Sequence, residues 1–409
     1  MASQNTLQSE DKPVHDWYRF VLSFPPHLVR NYLSKFGAEK NQVVLDPFCG
    51  TGTTPVECKK MGLESIGIES HPFLRFAAST KIDWSVDSEI LLRASNLVVE
   101  MAKDLFMSSQ GLRTLPDEII KLLPKGSISS LPLHKTLILL EAIEEQGQTL
   151  LLDYQRLALA KCLPQAIGNL RFGPEVYVGK PLQDAPVFEV WRESIEIIAK
   201  DVLLFSQQKT KASIYQGDAR HLSTLLLPKS VDYIFCSPPY ANEKDYTRTT
   251  RLESVLLGFI KSRADLRAVK ERLLRSNTRN VFKNDEDGGI LDFQSIRGIV
   301  DEIETRRVAL GKTSGFEKAY SKVVRFYFSG MRQHLADLRT ALRPGACLAY
   351  VVGDQASFFR VKIETARLLA EIAESLGYQV LGIDLFRKRL STVTREQLRE
   401  EVLILRWNE

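Results

Sequence analysis

The chain has 409 residues, 44% of them hydrophobic, and a net charge of +5 from 55 Lys and Arg against 50 Asp and Glu. This suffices for a sizeable core and for two domains or one with large insertions, and the modest charge permits a polyanionic partner without requiring one. Five cysteines without a Cys-x-x-Cys pair, no apolar run near the ~20 residues of a membrane span and no basic-then-apolar leader exclude a disulfide scaffold and a membrane anchor, so a soluble cytoplasmic protein is expected.

Residues 1–14 are polar and predict a disordered N-terminus. From His15 the pattern changes. Trp17, Phe20, Val21 and Phe24 are apolar, Pro25-Pro26 fits a helix start, and Leu28, Val29, Tyr32, Leu33 and Phe36 recur at helical spacing before Gly37. Val43-Val44-Leu45 then reads as a buried strand with Asp46 at its carboxyl end. Gly50-Thr51-Gly52 supplies a turn tight enough for backbone to approach a ligand, and a helix follows over Pro55 to Met61.

What that turn binds is narrowed by elimination. A nucleotide P-loop needs Lys followed by Ser or Thr after its second glycine, and Thr53-Thr54 stands there instead. A dinucleotide fingerprint wants a third glycine where this chain has Pro55. A smaller, less anionic ligand remains, beside the bland reading of a strand-to-helix turn with no ligand. Ser65 to Glu69 reads as a second strand ending in an acid 17 residues beyond Gly52, near the spacing at which such folds place a carboxylate on ribose hydroxyls. His71-Pro72-Phe73 follows it, either as an apolar or aromatic wall to the ligand or, for Phe73, simply as core.

Residues 85–210 interrupt the sheet pattern with helical faces, among them Leu91 to Leu105, Leu133 to Ile143 and Leu150 to Leu163, and read as a helical insertion. Within it Asn169 to Lys180 is basic and aromatic; an exposed connector is the plainer reading, contact with a nucleic acid the other. Over 211–240 the sheet resumes. A strand from Ala212 runs to Gly217-Asp218-Ala219, and Val231 to Cys236 is another, leading into Ser237-Pro238-Pro239-Tyr240.

With that tetrapeptide the chain resembles the S-adenosylmethionine-dependent DNA methyltransferases that modify exocyclic amino groups. Asp46-Pro47-Phe48-Cys49-Gly50-Thr51-Gly52-Thr53-Thr54 is similar to their cofactor loop, Ser237-Pro238-Pro239-Tyr240 to their catalytic tetrapeptide, and Gly217-Asp218-Ala219 to their adenine-binding segment. A leading Ser resembles the cytosine-N4 enzymes, where Asp or Asn is usual for adenine-N6. The resemblance covers roughly 15–84 and 211–407. It implies S-adenosylmethionine as cofactor, with Glu69, Asp218 and Ala219 beside the loop, and duplex DNA as partner, with a restriction endonuclease acting on the same site as a further possible partner. It also implies an α/β fold: a seven-stranded Rossmann-like class I methyltransferase sheet with two largely helical insertions.

Residues 241–325 are the second insertion. From Asn242 to Lys283 it carries 11 basic against five acidic residues, and this local excess exceeds the net charge of the whole chain. Lys244, Arg248 and Arg251 adjoin the tetrapeptide and are the candidate DNA contacts. Over 326–409 the α/β rhythm returns. A helix from Val323 to Leu342, a strand from Ala346 to Val352, a helix from Lys362 to Leu376, and strands Tyr378 to Leu385 and Glu401 to Trp407 predict the end of the sheet, the last two as an antiparallel edge.

Methylating an aromatic amine requires acceptors facing both amino hydrogens, because the nitrogen lone pair is delocalised into the ring. The Ser237 hydroxyl and the Pro238 carbonyl are the candidates. Pro238-Pro239 fixes the backbone that carries them, and Tyr240 offers a face to a base rotated out of the duplex. Neither Cys49 nor Cys236 has the Pro-Cys placement of cytosine-C5 enzymes, and no His/Cys cluster has metal spacing. Cytosine-N4 methylation is the expectation. Adenine-N6 methylation, RNA guanine-N2 methylation and a catalytically silent DNA-binding subunit are the alternatives.

Overall fold

A computed structural model describes residues 7–147, 149–173, 175–390, 395 and 397–409. The helix α1 (Pro26–Phe36) starts on proline and stops at Gly37, whose left-handed backbone (φ 71°) closes the last turn. Strand β1 (Val43–Asp46), helix α2 (Thr53–Met61), strand β2 (Glu64–Glu69) and helix α3 (Pro72–Ile82) follow. The first insertion contributes α4 (Ser88–Ser108), α5 (Ser130–Glu145), α6 (Thr149–Cys162), a hairpin of β3 (Leu170–Phe172) and β4 (Val176–Val178), and α7 (Val187–Phe205).

After β5 (Ala212–Gln216) and β6 (Val231–Cys236), the second insertion adds α8 (Arg251–Leu256), α9 (Arg263–Arg272) and α10 (Gln294–Ala309). The chain ends with α11 (Tyr320–Leu338), β7 (Leu342–Gly353), α12 (Thr365–Ser375), β8 (Gln379–Leu390) and β9 (Gln397–Arg406). Among the described residues no helix is long and apolar enough to cross a membrane.

Seven strands form one sheet in the order β5-β2-β1-β6-β7-β9-β8. All neighbours are parallel except β9, which runs antiparallel to both β7 and β8. This is the Rossmann-like class I methyltransferase sheet expected from the sequence. Successive strand residues face opposite sides, and both sides are buried. Val44, Tyr233, Phe235, Ala349 and Val351 pack with Leu28, Val29 and Leu33 of α1 on one face. Leu45, Ile234, Leu348, Tyr350 and Val352 pack on the other with Phe328 and Met331 of α11 and Leu369 and Ile372 of α12. The first insertion has its own apolar interior, continuous with Phe73 and Phe76 of α3.

Two expectations are corrected and a third is decided. The N-terminus is not disordered throughout 1–14: Ser9–Asp11 and Lys12–His15 form helical turns, and Asp11, Val14 and His15 are buried. Its polar residues looked solvated in the sequence because their partners lie far along the chain. Arg30 reaches Asp11 (2.7 Å), and Asp201 accepts from Val14 N (2.7 Å) and Trp17 Nε1 (2.9 Å). Residues 1–6 lie outside the described residues. The stretch from Asn169 to Lys180 is no plain connector but the β3–β4 hairpin, with Asn169 bonded to Gly126 O, Ser129 Oγ and Leu182 N; its Pro174 lies outside the described residues. Phe73 is core and offers no wall to a ligand, packing edge-on against Tyr18 with ring centroids 5.1 Å apart.

Candidate active site

A cavity of 340 Å³ opens at the carboxyl ends of β1, β2, β5 and β6, where open α/β sheets place their ligands. Pro47, Phe48, Cys49, Gly50, Thr51 and Thr53 form one side of it, with Glu69, Asp218 and Ala219 beside them. Ser237, Pro238, Pro239, Tyr240 and Lys244 also line it. Asp46, Gly52 and Thr54 stand behind the loop as supports. Asp46 Oδ1 accepts from Phe48 N (3.0 Å), and Thr54 Oγ1 donates to Phe235 O (3.1 Å), tying the start of α2 to the strand that carries the tetrapeptide.

The loop takes its shape from two left-handed glycines. Gly50 (φ 53°) has nothing within 4 Å of where a side chain would stand. Gly52 (φ 82°) sits so close to α3 that a Cβ would lie 3.2 Å from that of Ala78. The Glu69 carboxylate closes the turn, accepting from Gly50 N and His71 N at 2.8 Å each. Burial pushes the Glu69 carboxyl up to about 7 against those bonds, and burial also raises Asp46 to about 7, its Oδ2 being buried without a partner.

At the carboxyl end of β6, the Ser237 hydroxyl donates to Val351 O (3.0 Å). Its proton is committed to β7, so what it offers the cavity is an acceptor. Tyr240 lies over Gly353 of β7: a methyl group there would stand 3.1 Å from its ring. Asp218 is gripped by Arg220, whose Nε and Nη2 donate to its two oxygens, and the adjacent Ala219 carbonyl is fixed by His334. A carbonyl only accepts, so His334 Nδ1 carries the proton and Nε2 accepts from the Tyr350 hydroxyl (2.8 Å each). Burial lowers His334 to about 4, which keeps the ring neutral, and Phe48 packs edge-on against it at 4.9 Å.

The proposed DNA contacts separate. Lys244 lines the cavity, and Arg248 is exposed outside it. Arg251 bonds Thr247 O, Thr247 Oγ1 and Leu122 O, beside a second, shallower groove that Lys121, Arg263, Arg267, Lys270 and Phe282 also line. Much of the basic excess is neutralised at close range: Lys270 by Asp245 (3.0 Å), Arg275 by Asp285 (2.7 Å) and Arg267 by Glu271 (2.8 Å).

Phe20 to Pro25 lie along the cavity as a strap, as the resemblance of Phe24-Pro25-Pro26 to the family's pocket-closing element implies. Other lining residues escaped the sequence reading: Asn242, Tyr246 and Arg272 come from the second insertion. Phe386, Arg387, Arg389 and Glu400 come from the β8–β9 hairpin, which runs well past the predicted end at Leu385. Charged residues two apart in a strand, Arg387 and Arg389, were the available signal.

The sheet has the class I methyltransferase topology, and the cavity opens at its ligand-binding end. Residues 3–78 match the N6/N4 family model described as DNA methylase. The chain is similar to type II methyltransferase M.BsoBI of Geobacillus stearothermophilus, 25% identical over 93% of this chain and 82% of that protein. It is also similar to type II methyltransferase M.AvaI of Nostoc sp., 22% identical over 91% of this chain and 80% of the relative. Among solved structures, TrmN from Thermus thermophilus aligns with a TM-score of 0.30 at 12% identity, over 97% of this chain and 52% of that one. The likeness to the N6/N4 DNA methylases thus lies in residues 3–78, and that to the type II methyltransferases runs over most of the chain at 22–25% identity.

Proposed function

We propose that this protein is a site-specific DNA methyltransferase that moves the methyl group of S-adenosylmethionine to the exocyclic N4 amine of cytosine in duplex DNA. One observation carries the reading: the Pro47–Thr53 loop with Glu69, and the Ser237–Tyr240 turn, open onto one continuous cavity.

The residues present fit the cofactor. Gly50 leaves open space where a side chain would block the loop, and Glu69 presents a carboxylate at the second strand end for ribose hydroxyls. Asp218 and Ala219 flank the adenine side, and the backbone N–H groups at the start of α2 face the carboxylate side. S-adenosylmethionine supplies a methyl carbon bonded to a positively charged sulfur. Transfer would break that bond with its electron pair left on the sulfur, form a carbon–nitrogen bond and release one amine proton to solvent.

Ser237 Oγ and the Pro238 carbonyl accept from the two amino hydrogens, which favours a more tetrahedral and nucleophilic nitrogen. Two prolines hold that carbonyl in place, and Tyr240, seated on Gly353, stacks on the flipped base. Lys244 and Arg248 neutralise phosphates near the mouth. The names of the relatives support pairing with a restriction endonuclease acting on the same site.

Label transfer from S-adenosylmethionine to unmethylated duplex DNA, followed by nucleoside mass analysis, tests the reading. N4-methylcytosine is the expected product. N6-methyladenine alone would move the protein to the sister chemistry, and label in transfer RNA but not in DNA would move it to RNA.

A further inference from the structure

One end of the cavity is built by the hairpin that follows the recognised motifs. Gly353 of β7, Glu400 of β9 and Arg387 of β8 stand side by side in register across three strands. At about 4.8 Å per strand this row spans roughly 10 Å, the breadth of a flat base and the groups that meet its edge. Tyr240 covers its near end, since a methyl group on Gly353 would stand 3.1 Å from the Tyr240 ring and 3.3 Å from Glu400 Cγ.

A braced cation stands beside this row. Arg389 Nη2 donates to Asp354 O (2.9 Å) and Gln355 Oε1 (3.1 Å), and its Nε lies 3.4 Å from Glu400 Oε1. Gln355 is itself held by Gly353 O (3.0 Å), and Glu400 is ion-paired with Arg387 as well. Glu400 and Gln355 are both buried. An arginine braced through Nε and Nη2 by buried acceptors on a cavity wall has its remaining nitrogen, Nη1, held in place before anything binds.

We propose that Arg389 is the residue that selects the base, with Glu400 positioning it. Resting on the cytosine-N4 reading, the inference extends it to specificity. With its amine at Ser237 and Pro238, cytosine carries two acceptors in succession along the same edge, N3 and O2. With Nε and Nη2 committed to the brace, Arg389 Nη1 is the donor left to meet O2, next to N3. Adenine in that pose carries N1 and then a C2–H, so one donor would be left unpaired in a dry site. Discrimination then comes from the hairpin as well as from the leading Ser of the tetrapeptide.

The test uses the full chain, S-adenosylmethionine, and duplexes carrying the mapped target with cytosine or adenine at the methylated position. Arg389→Met is expected to lower kcat/KM for the cytosine duplex about 10- to 100-fold, leaving the low rate on adenine and the dissociation constant for the cofactor unchanged. Arg389→Lys, which retains the charge but loses the planar group that the brace holds, is expected to lose the same discrimination and covers the case in which the methionine variant fails to fold. Glu400→Gln is expected to lower the cytosine-to-adenine ratio by a smaller factor, a readout that mere support of the hairpin would not move. Wild-type protein that produces N4-methylcytosine while both Arg389 variants keep its cytosine-to-adenine ratio overturns this inference alone. Wild-type protein that methylates adenine, or no DNA base, overturns the reading beneath it as well.

Discussion

At Ser237 the proposed chemistry turns on which way one hydrogen bond runs. Because the hydroxyl gives its proton to Val351 O, its lone pairs are what remain for a substrate amine. Ser237→Ala is therefore expected to cut turnover by two to three orders of magnitude, roughly the loss seen when one preorganised partner of a transition state is removed. Cofactor affinity, followed by calorimetry, should stay near normal; full turnover in the variant would defeat the role. Glu69 gives a pH signature. Its folded value is raised to about 7 by burial, whereas an unfolded Glu titrates near 4.3, so between those values the folded chain holds a proton that the unfolded chain has lost. Stability from this group is thus present at low pH and lost as pH rises through about 7. Accepting two ribose hydroxyls needs the anion, so cofactor affinity should run the other way, weakening as pH falls below about 7 by up to roughly tenfold per unit. Glu69→Gln should flatten that profile, and titrations across pH 5.5–8.5 would show whether it does.

Between elements, the first forty residues are fastened to the loop helix α2 by buried charge. Glu57 is fully buried and accepts from His15 Nε2 (2.7 Å), Arg30 and Lys60 (3.1 Å). Burial pushes its carboxyl up, but the His15 bond, then the charges of His15 and Lys60 and the Arg30 bond, outweigh this and hold it well below the usual range. Its stabilisation is present above about pH 4 and lost as acid protonates it. Burial lowers His15 to about 3 and keeps it neutral, so Glu57→Gln leaves Arg30 and Lys60 without their anion and is expected to cost about 2–4 kcal/mol, read as a lower urea midpoint with an unchanged slope. A neighbouring device is the strap that begins after Tyr18, whose hydroxyl donates to Glu253 of α8 (2.7 Å) and whose carbonyl accepts from buried Lys81 (3.2 Å). In the basic insertion, the two arginines should behave differently. Arg248→Ala should weaken DNA binding and reduce the salt slope by about one charge. Arg251→Ala should chiefly lower the melting temperature, because its guanidinium is spent on Thr247 and Leu122. Salt-dependent binding isotherms and thermal melts of the two variants separate these outcomes.

Across the whole molecule, the cavity is a meeting of segments hundreds of residues apart, and its two halves are joined through β7. Gly353→Ala would drive a methyl group within 3.1 Å of the Tyr240 ring, which sits between the tetrapeptide and the hairpin. The variant should fold and bind cofactor, yet lose at least tenfold in kcat as the stacking face shifts. Wild-type kcat would show that the ring moves freely. What could be read along the chain was what short-range chemistry writes there. Alternating strands with acids at their ends, the two glycines of the loop, the Ser-Pro-Pro-Tyr turn and the helical insertions are each set by a few consecutive residues, and they fixed the sheet and most of the cavity wall. What could not be read depended on partners distant in sequence. Asp11 looked solvated until Arg30 was beside it, Arg251 looked free until Thr247 and Leu122 met it, and Phe386 to Leu390 looked like a loop until β9 paired with them. The sequence by itself therefore determined the class of fold, the loop and the tetrapeptide, since local backbone preference and hydrophobic alternation are encoded residue by residue. Only the tertiary structure decided which charges are spent on the protein and which face the cavity, because burial and pairing are properties of the assembled chain.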